Sequence, residues 1–130
     1  MSIPGIYVLS SNEKYAEWLA AVGIPADAIA RLEKAKPQLT VTHTGDQVVV
    51  KTVAGDKNFT NTITLGQESK AGLPGGLEYT MTLTLSGSKL TGTYSMAGKT
   101  GNASVEFTAA GAVQTMSQGG TTAKRVYTRQ

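Results

Sequence analysis

Cysteine is absent from these 130 residues, and histidine occurs once, as His43. Without cysteine there are no disulfides, no thiolate nucleophile and no cysteine-ligated zinc. A lone histidine beside a turn-like Thr44-Gly45 makes no metal cluster and reads as a solvent-exposed turn residue. No segment approaches the roughly 20 consecutive apolar residues of a membrane-spanning helix. The start, Met1-Ser2-Ile3-Pro4-Gly5, carries no basic region ahead of an apolar stretch, so a soluble, cytoplasmic protein is expected. Charge of neither sign forms a run. The formal net charge of +3 is a mild basic excess that argues against a nucleic-acid partner and leaves room for weak attraction to anionic membrane surfaces. Serine and aspartate occur, but no nucleophile elbow or triad spacing accompanies them, so an enzyme is not expected.

Aromatics are only 6% of the chain, while threonine is frequent, which suits strands that need a β-branched side chain bearing a hydroxyl. The length suits one domain spanning residues 1–130. A first strand is expected over 5–10, and Ser11-Asn12 supplies oxygens suited to cap a helix start. Tyr15, Trp18, Leu19 and Val22 then recur at helical period, ending at Gly23. Pro25 opens a second short helix with Ala28, Ile29, Leu32 and Ala35 on one face, stopped by Lys36-Pro37. Strands follow over 39–43, 47–53, 58–65, 77–85, 89–96, 103–108, 112–117 and 121–129. Glycine-bearing turns separate most of them, the pattern of an antiparallel meander. A meander this long exposes edges unless it closes on itself, and an amphipathic helical pair inserted after the first strand suits the open end of a barrel.

Near the end of the chain, Arg125-Val126-Tyr127 puts an arginine and a tyrosine on one face of a strand. Facing outward they are ordinary surface residues. Facing an enclosed interior, a guanidinium beside a phenol suits a carboxylate.

Gly5-Ile6-Tyr7, Ala21-Val22-Gly23, Lys36-Pro37, Gly45-Asp46, Lys57-Asn58, Leu65-Gly66-Gln67-Glu68 and the closing Arg125-Val126-Tyr127 follow one another in a specific order. On these residues the chain resembles, over essentially its full length, the intracellular lipid-binding proteins, among them the cytosolic fatty-acid-binding and retinoid-binding proteins. The resemblance implies an all-β fold: a ten-stranded antiparallel up-and-down β-barrel, the β-clam, with a two-helix lid between the first and second strands. It further implies a monomer that carries a long-chain fatty acid or similar hydrophobic carboxylate without cofactor or chemistry. Arg125 and Tyr127 become the headgroup residues. By correspondence Tyr15, Leu19, Leu32 and Ala35 become lid residues facing the cavity, while helix-to-barrel packing suits Trp18 better.

Thr52, Ala54, Gln114 and Met116 fall on inward parity in the aligned strands, and the Gln114 amide needs water or a ligand for a partner. Two departures stand out. Val105 occupies the place where many relatives carry a second arginine and retinol binders often carry glutamine, and Leu77 replaces a further cavity arginine. A retinoid, bile-acid or sterol-like ligand is therefore the alternative. A barrel that holds no ligand is another, suggested by the small, threonine-rich interior. Arg31, Lys34 and Lys57 cluster around the lid in the implied fold, either as a solvated face or as a cationic portal that meets anionic membranes.

Overall fold

The computed structural model describes residues 3–34, 36–54, 57–73, 77–96 and 98–130, with the backbone alone at 57, 59, 73 and 77. The expectations for Ala35 and for the side chains of Lys57 and Leu77 lie outside the described residues.

Ten strands and two helices follow in chain order: β1 (Gly5–Glu13), α1 (Tyr15–Ala21), α2 (Ala26–Lys34), β2 (Gln38–Thr44), β3 (Gln47–Ala54), β4 (Lys57–Thr64), β5 (Glu68–Leu73), β6 (Leu77–Ser86), β7 (Lys89–Met96), β8 (Lys99–Phe107), β9 (Gly111–Gln118) and β10 (Thr121–Arg129). They form one antiparallel sheet in the order β4-β3-β2-β1-β10-β9-β8-β7-β6-β5. Apart from β4 and β5, sequence neighbours pair with each other, and β1 joins the first half to the last by pairing with both β2 and β10. This is the up-and-down barrel with a helical pair between its first two strands. No described helix is long and apolar enough to cross a membrane.

The barrel is nearly closed. Its first and last strands in sheet order, β4 and β5, lie side by side without a ladder between them. Across that seam the Asn61 amide imitates a strand. Its Nδ2 donates to the Gly72 carbonyl at 3.2 Å, and its Oδ1 accepts from the Gly72 N–H at 2.9 Å. Closer to the turn, the Thr64 N–H donates to Ser69 Oγ at 3.0 Å. Backbone groups that an open edge would leave to solvent are thus paired through side chains.

Three local expectations are corrected. Ser11 and Asn12 do not cap α1; they extend β1, and α1 starts after Lys14, which adopts the left-handed region (φ 57°) without a side-chain cap bond. The strand β5 carries Glu68, Ser69, Lys70 and Gly72, a polar composition that hides it from a search for apolar alternation. Likewise β8 begins at Lys99, four residues ahead of the expected start, in the polar stretch Lys99-Thr100-Gly101-Asn102.

The core lies inside the barrel and beneath α1. Tyr7, Leu19, Val22 and Val48 are its largest fully enclosed side chains. α1 packs on β9 and β10, whereas α2 rests chiefly on α1. Trp18 fixes α1 by donating its Nε1–H to Tyr94 Oη at 2.9 Å, ring edge to ring face. The Tyr94 hydroxyl in turn donates to the Ser117 carbonyl at 2.8 Å. Gly101 makes room for this phenol: a Cβ there would collide with Tyr94 Oη and the Ser117 carbonyl.

Candidate functional site

A cavity of about 160 Å³ occupies the barrel interior. Most of its wall is apolar, with Val41, Val48, Val50, Ile63, Met81, Leu83, Leu90 and Phe107 contributed by six strands. Strand alternation explains the clustering: residues two apart on each strand share the inner face. The polar groups are few, and several gather around one side chain, Arg125.

Arg125 is 8% exposed and is the only charged residue lining the cavity among the described residues. Its guanidinium carbon lies 4.0 Å from the centroid of the Tyr15 ring and 5.7 Å from that of Tyr127. Its Nε–H donates to Asn12 Oδ1 at 2.9 Å. No carboxylate pairs with it among the described residues, and its two terminal nitrogens make no hydrogen bond there. Burying a cation without a counter-charge is costly. The stacked phenol rings offset part of that cost through their negative faces, about 0.5–2 kcal/mol for each good contact.

The geometry of Arg125 depends on an irregularity in β1. Tyr7 pairs with Arg129 and Leu9 with Tyr127, but Ser11 pairs with Val126, so β1 advances two residues where β10 advances one. This β-bulge reverses the facing of β1. Tyr7 and Leu9 point inward before it; Ser10 and Ser11 are both exposed; Asn12, half-buried, then faces inward opposite Arg125. On the other side of β10, Arg125 pairs with Gln114, which pairs with Val105, which pairs with Leu90. One row therefore crosses the barrel wall from amide to guanidinium to amide to aliphatic.

Three phenols complete the cluster. Burial pushes the Tyr15 hydroxyl above its ordinary range, with Arg125 pulling it partly back. Tyr127 is likewise raised by burial, offset by Arg125, and raised again by Tyr15. Tyr79 is raised by burial first and then by Tyr15 and Tyr127, against the pull of Arg125. All three hydroxyls stay protonated near neutral pH and are available as donors. Among the described residues none is engaged in a hydrogen bond.

Of the residues singled out from the sequence, Arg125, Tyr127, Gln114, Tyr15, Leu32, Thr52, Ala54 and Val105 all line the cavity. Leu19 and Met116 are buried but do not reach its wall. Both belong to the apolar cluster in which α1 sits on β9 and β10, so the helix fills the space that strand parity assigns to a ligand. Asn12, Asn61 and Tyr79 are not among the site residues expected from the sequence, where Asn12 reads only as part of a helix cap. Tyr79 shares inward parity with Met81 and Leu83, which was readable; the other two depend on a bulge and a seam that leave no mark in residue order. His43 is also corrected: it shares the inward face of Leu39 and Val41, half-buried, and its Nε2 is enclosed without a hydrogen bond.

Known proteins of similar fold are numerous. The chain is 38% identical to fatty acid binding protein 1-B.1 of Danio rerio over 69 residues, 53% of this chain and 54% of that one. It thus spans about half the length of that relative. Against the intestinal fatty acid-binding protein of Rattus norvegicus the match is 28% over the whole of both chains. The fold superposes on that of a Schistosoma mansoni fatty acid binding protein, solved in complex with arachidonic acid, with a TM-score of 0.88 at 24% identity, covering 98% of this chain and 95% of that one. The sequence profile of the lipocalin / cytosolic fatty-acid binding protein family matches residues 1–129, and the chain belongs to that family.

Proposed function

We propose that this protein is a non-enzymatic carrier of long-chain fatty acids, holding the carboxylate at Arg125 and the hydrocarbon tail against the apolar wall. The observation that carries this reading is the buried guanidinium of Arg125, which lacks a counter-charge among the described residues while its terminal N–H groups remain free. A carboxylate supplies the missing charge and accepts from those groups, with the Tyr15, Tyr79 and Tyr127 hydroxyls as further donors. Gln114, beside Arg125 in the ladder, offers an amide to the same headgroup or to a water bound with it.

The two parts of the ligand contribute unequally. Burying a tail at roughly 0.8 kcal/mol per methylene contributes on the order of 10 kcal/mol for a long chain. A charge-assisted hydrogen bond contributes about 1.5–3 kcal/mol. The tail therefore sets affinity, and Arg125 sets class and orientation. Val105, where a second cation would otherwise stand in the same row, leaves Arg125 as the single cationic anchor among the described residues. With one cation and no carboxylate facing the cavity there, no acid–base pair is on hand for chemistry, which supports carriage over catalysis.

The carrier acts in the cytoplasm as a monomer, exchanging its lipid through transient contacts with anionic membranes. Support for the membrane contact comes from Arg31 and Lys34, both exposed in the last turn of α2, the helix least tied to the barrel. A transfer rate indifferent to anionic phospholipid counts against that contact. Displacement of a fluorescent fatty acid tests the ligand class. Oleate is expected to displace it at micromolar levels and retinol and cholate not to; failure of oleate, with displacement by retinol or cholate, gives the site to a retinoid or bile-acid class instead.

A further inference from the structure

We propose that Asn12 is the residue that makes this cavity selective for carboxylates, by fixing which edge of the Arg125 guanidinium meets the ligand. The inference rests on the proposed function and deepens it. A guanidinium can bind a carboxylate through two terminal nitrogens or side-on through Nε and one terminal nitrogen. Here Nε is already taken, donating to Asn12 Oδ1 at 2.9 Å. Arginine offers no acceptor, so it is the amide oxygen of Asn12 that must face it. The guanidinium carbon lies over the Tyr15 ring, 4.0 Å from its centroid, so one side of the group is packed as well. With the Nε edge occupied, the two terminal nitrogens are left for a ligand in the cavity that Arg125 lines.

The identity of the partner matters as much as its position. Asparagine is neutral, so it orients the arginine without cancelling its charge. An aspartate in the same place would accept the same hydrogen bond and neutralise the cation, leaving an incoming carboxylate no net attraction. Asn12 reaches this place only through the Ser10–Ser11 bulge; in unbroken alternation Ser11 would face inward and Asn12 outward. The bulge thus exchanges a short hydroxyl for a longer amide at the position opposite Arg125. Tyr15, the first residue of α1, lies just beyond, so strand end, helix start and headgroup anchor form one unit.

The test compares oleate with oleyl alcohol, which keeps the tail and loses the carboxylate, on the full chain and on Asn12→Ala and Asn12→Asp. In Asn12→Ala oleate is expected to weaken by about 3- to 10-fold, the loss of one orienting hydrogen bond. In Asn12→Asp it is expected to weaken by more than about 10-fold. Oleyl alcohol is expected to hold its affinity in both. If the two ligands weaken in parallel, or the oleate preference survives in both variants, Asn12 is merely structural and this inference falls while the carrier reading stands. If the unsubstituted protein itself shows no preference for oleate, the carrier reading falls and this inference with it. A check free of folding effects uses the unsubstituted protein: the Arg125 Nε–H is expected to exchange slowly with solvent in ¹⁵N spectra with and without oleate, and fast exchange overturns the proposal.

Discussion

Asn12 and Arg125 face each other across β1 and β10, joined by one hydrogen bond of 2.9 Å that exists because β1 carries an extra residue just before it. The arginine is positioned by its neighbours without being neutralised by them. A protein selected for stability alone would place a carboxylate or a methylene there. That charge, unmatched among the described residues, is the observation on which the proposed carrier reading rests.

Replacing Arg125 by methionine is therefore expected to separate binding from stability. Fatty-acid affinity should fall about 10- to 100-fold, the equivalent of a charge-assisted contact, while oleyl alcohol affinity stays within a factor of a few. The empty protein should be as stable as before or more so, because a buried cation without a counter-charge has been removed. Calorimetric binding and thermal melts check both halves. A large drop in melting temperature with oleate affinity intact would show that Arg125 is a structural residue.

Much of this was readable in the residue order, and the limits are physical. The helical period of Tyr15, Trp18, Leu19 and Val22 and the alternation of Arg125 and Tyr127 report local geometry, and both appear where expected. Order along the chain carries no information on a bulge, which depends on a partner strand. The side-chain oxygens of Ser11-Asn12 ahead of a helical period therefore read as a helix cap. Parity likewise put Met116 on the cavity wall, since it assigns a face and cannot tell whether a helix has already filled the space beyond it. Polar β5 escaped because a strand whose place is a seam need not alternate.

That seam gives a second prediction. Asn61→Ala removes both bonds to Gly72, and at about 0.5–1.5 kcal/mol each the loss should be about 1–3 kcal/mol. Amide exchange should accelerate selectively in β4 and β5, with β8 to β10 unchanged. Uniform acceleration over the whole barrel would mean that the seam is not a separately opening element.

The attachment of α1 to the barrel gives a third. Trp18→Phe keeps an aromatic ring but deletes the hydrogen bond to Tyr94, which retains the Ser117 carbonyl as its acceptor, and leaves a small cavity, so a cost of about 1–3 kcal/mol is expected in urea unfolding. Gly101→Ala should be worse, because the added methyl meets both Tyr94 and the neighbouring backbone. Equal stability of Gly101→Ala and the unsubstituted protein would contradict the packing described.

A fourth concerns alkaline pH. All five tyrosines, Tyr7, Tyr15, Tyr79, Tyr94 and Tyr127, have hydroxyls raised above the ordinary value of 10.0, with burial the first cause in each. A group raised in the folded state adds stability that is fully present below its unfolded value and is lost as pH climbs toward the folded one. Stability should be insensitive to these groups near neutrality and decline from about pH 10 upward. Ultraviolet titration should show phenolate appearing late and together with unfolding. Early, reversible ionisation of most tyrosines in the folded protein would contradict their burial.

The central claim is that a fatty-acid carboxylate sits ionised against Arg125 inside the barrel. Carbon NMR of oleate labelled at its carboxyl carbon, bound to the protein and titrated with acid, tests it most directly. The account predicts one bound resonance whose ionisation midpoint lies below that of a solvated carboxylate, and which moves toward the solvated value in Arg125→Met. A bound resonance that titrates like a solvent-exposed carboxylate, unchanged by that substitution, would place the headgroup outside the cavity and contradict the account.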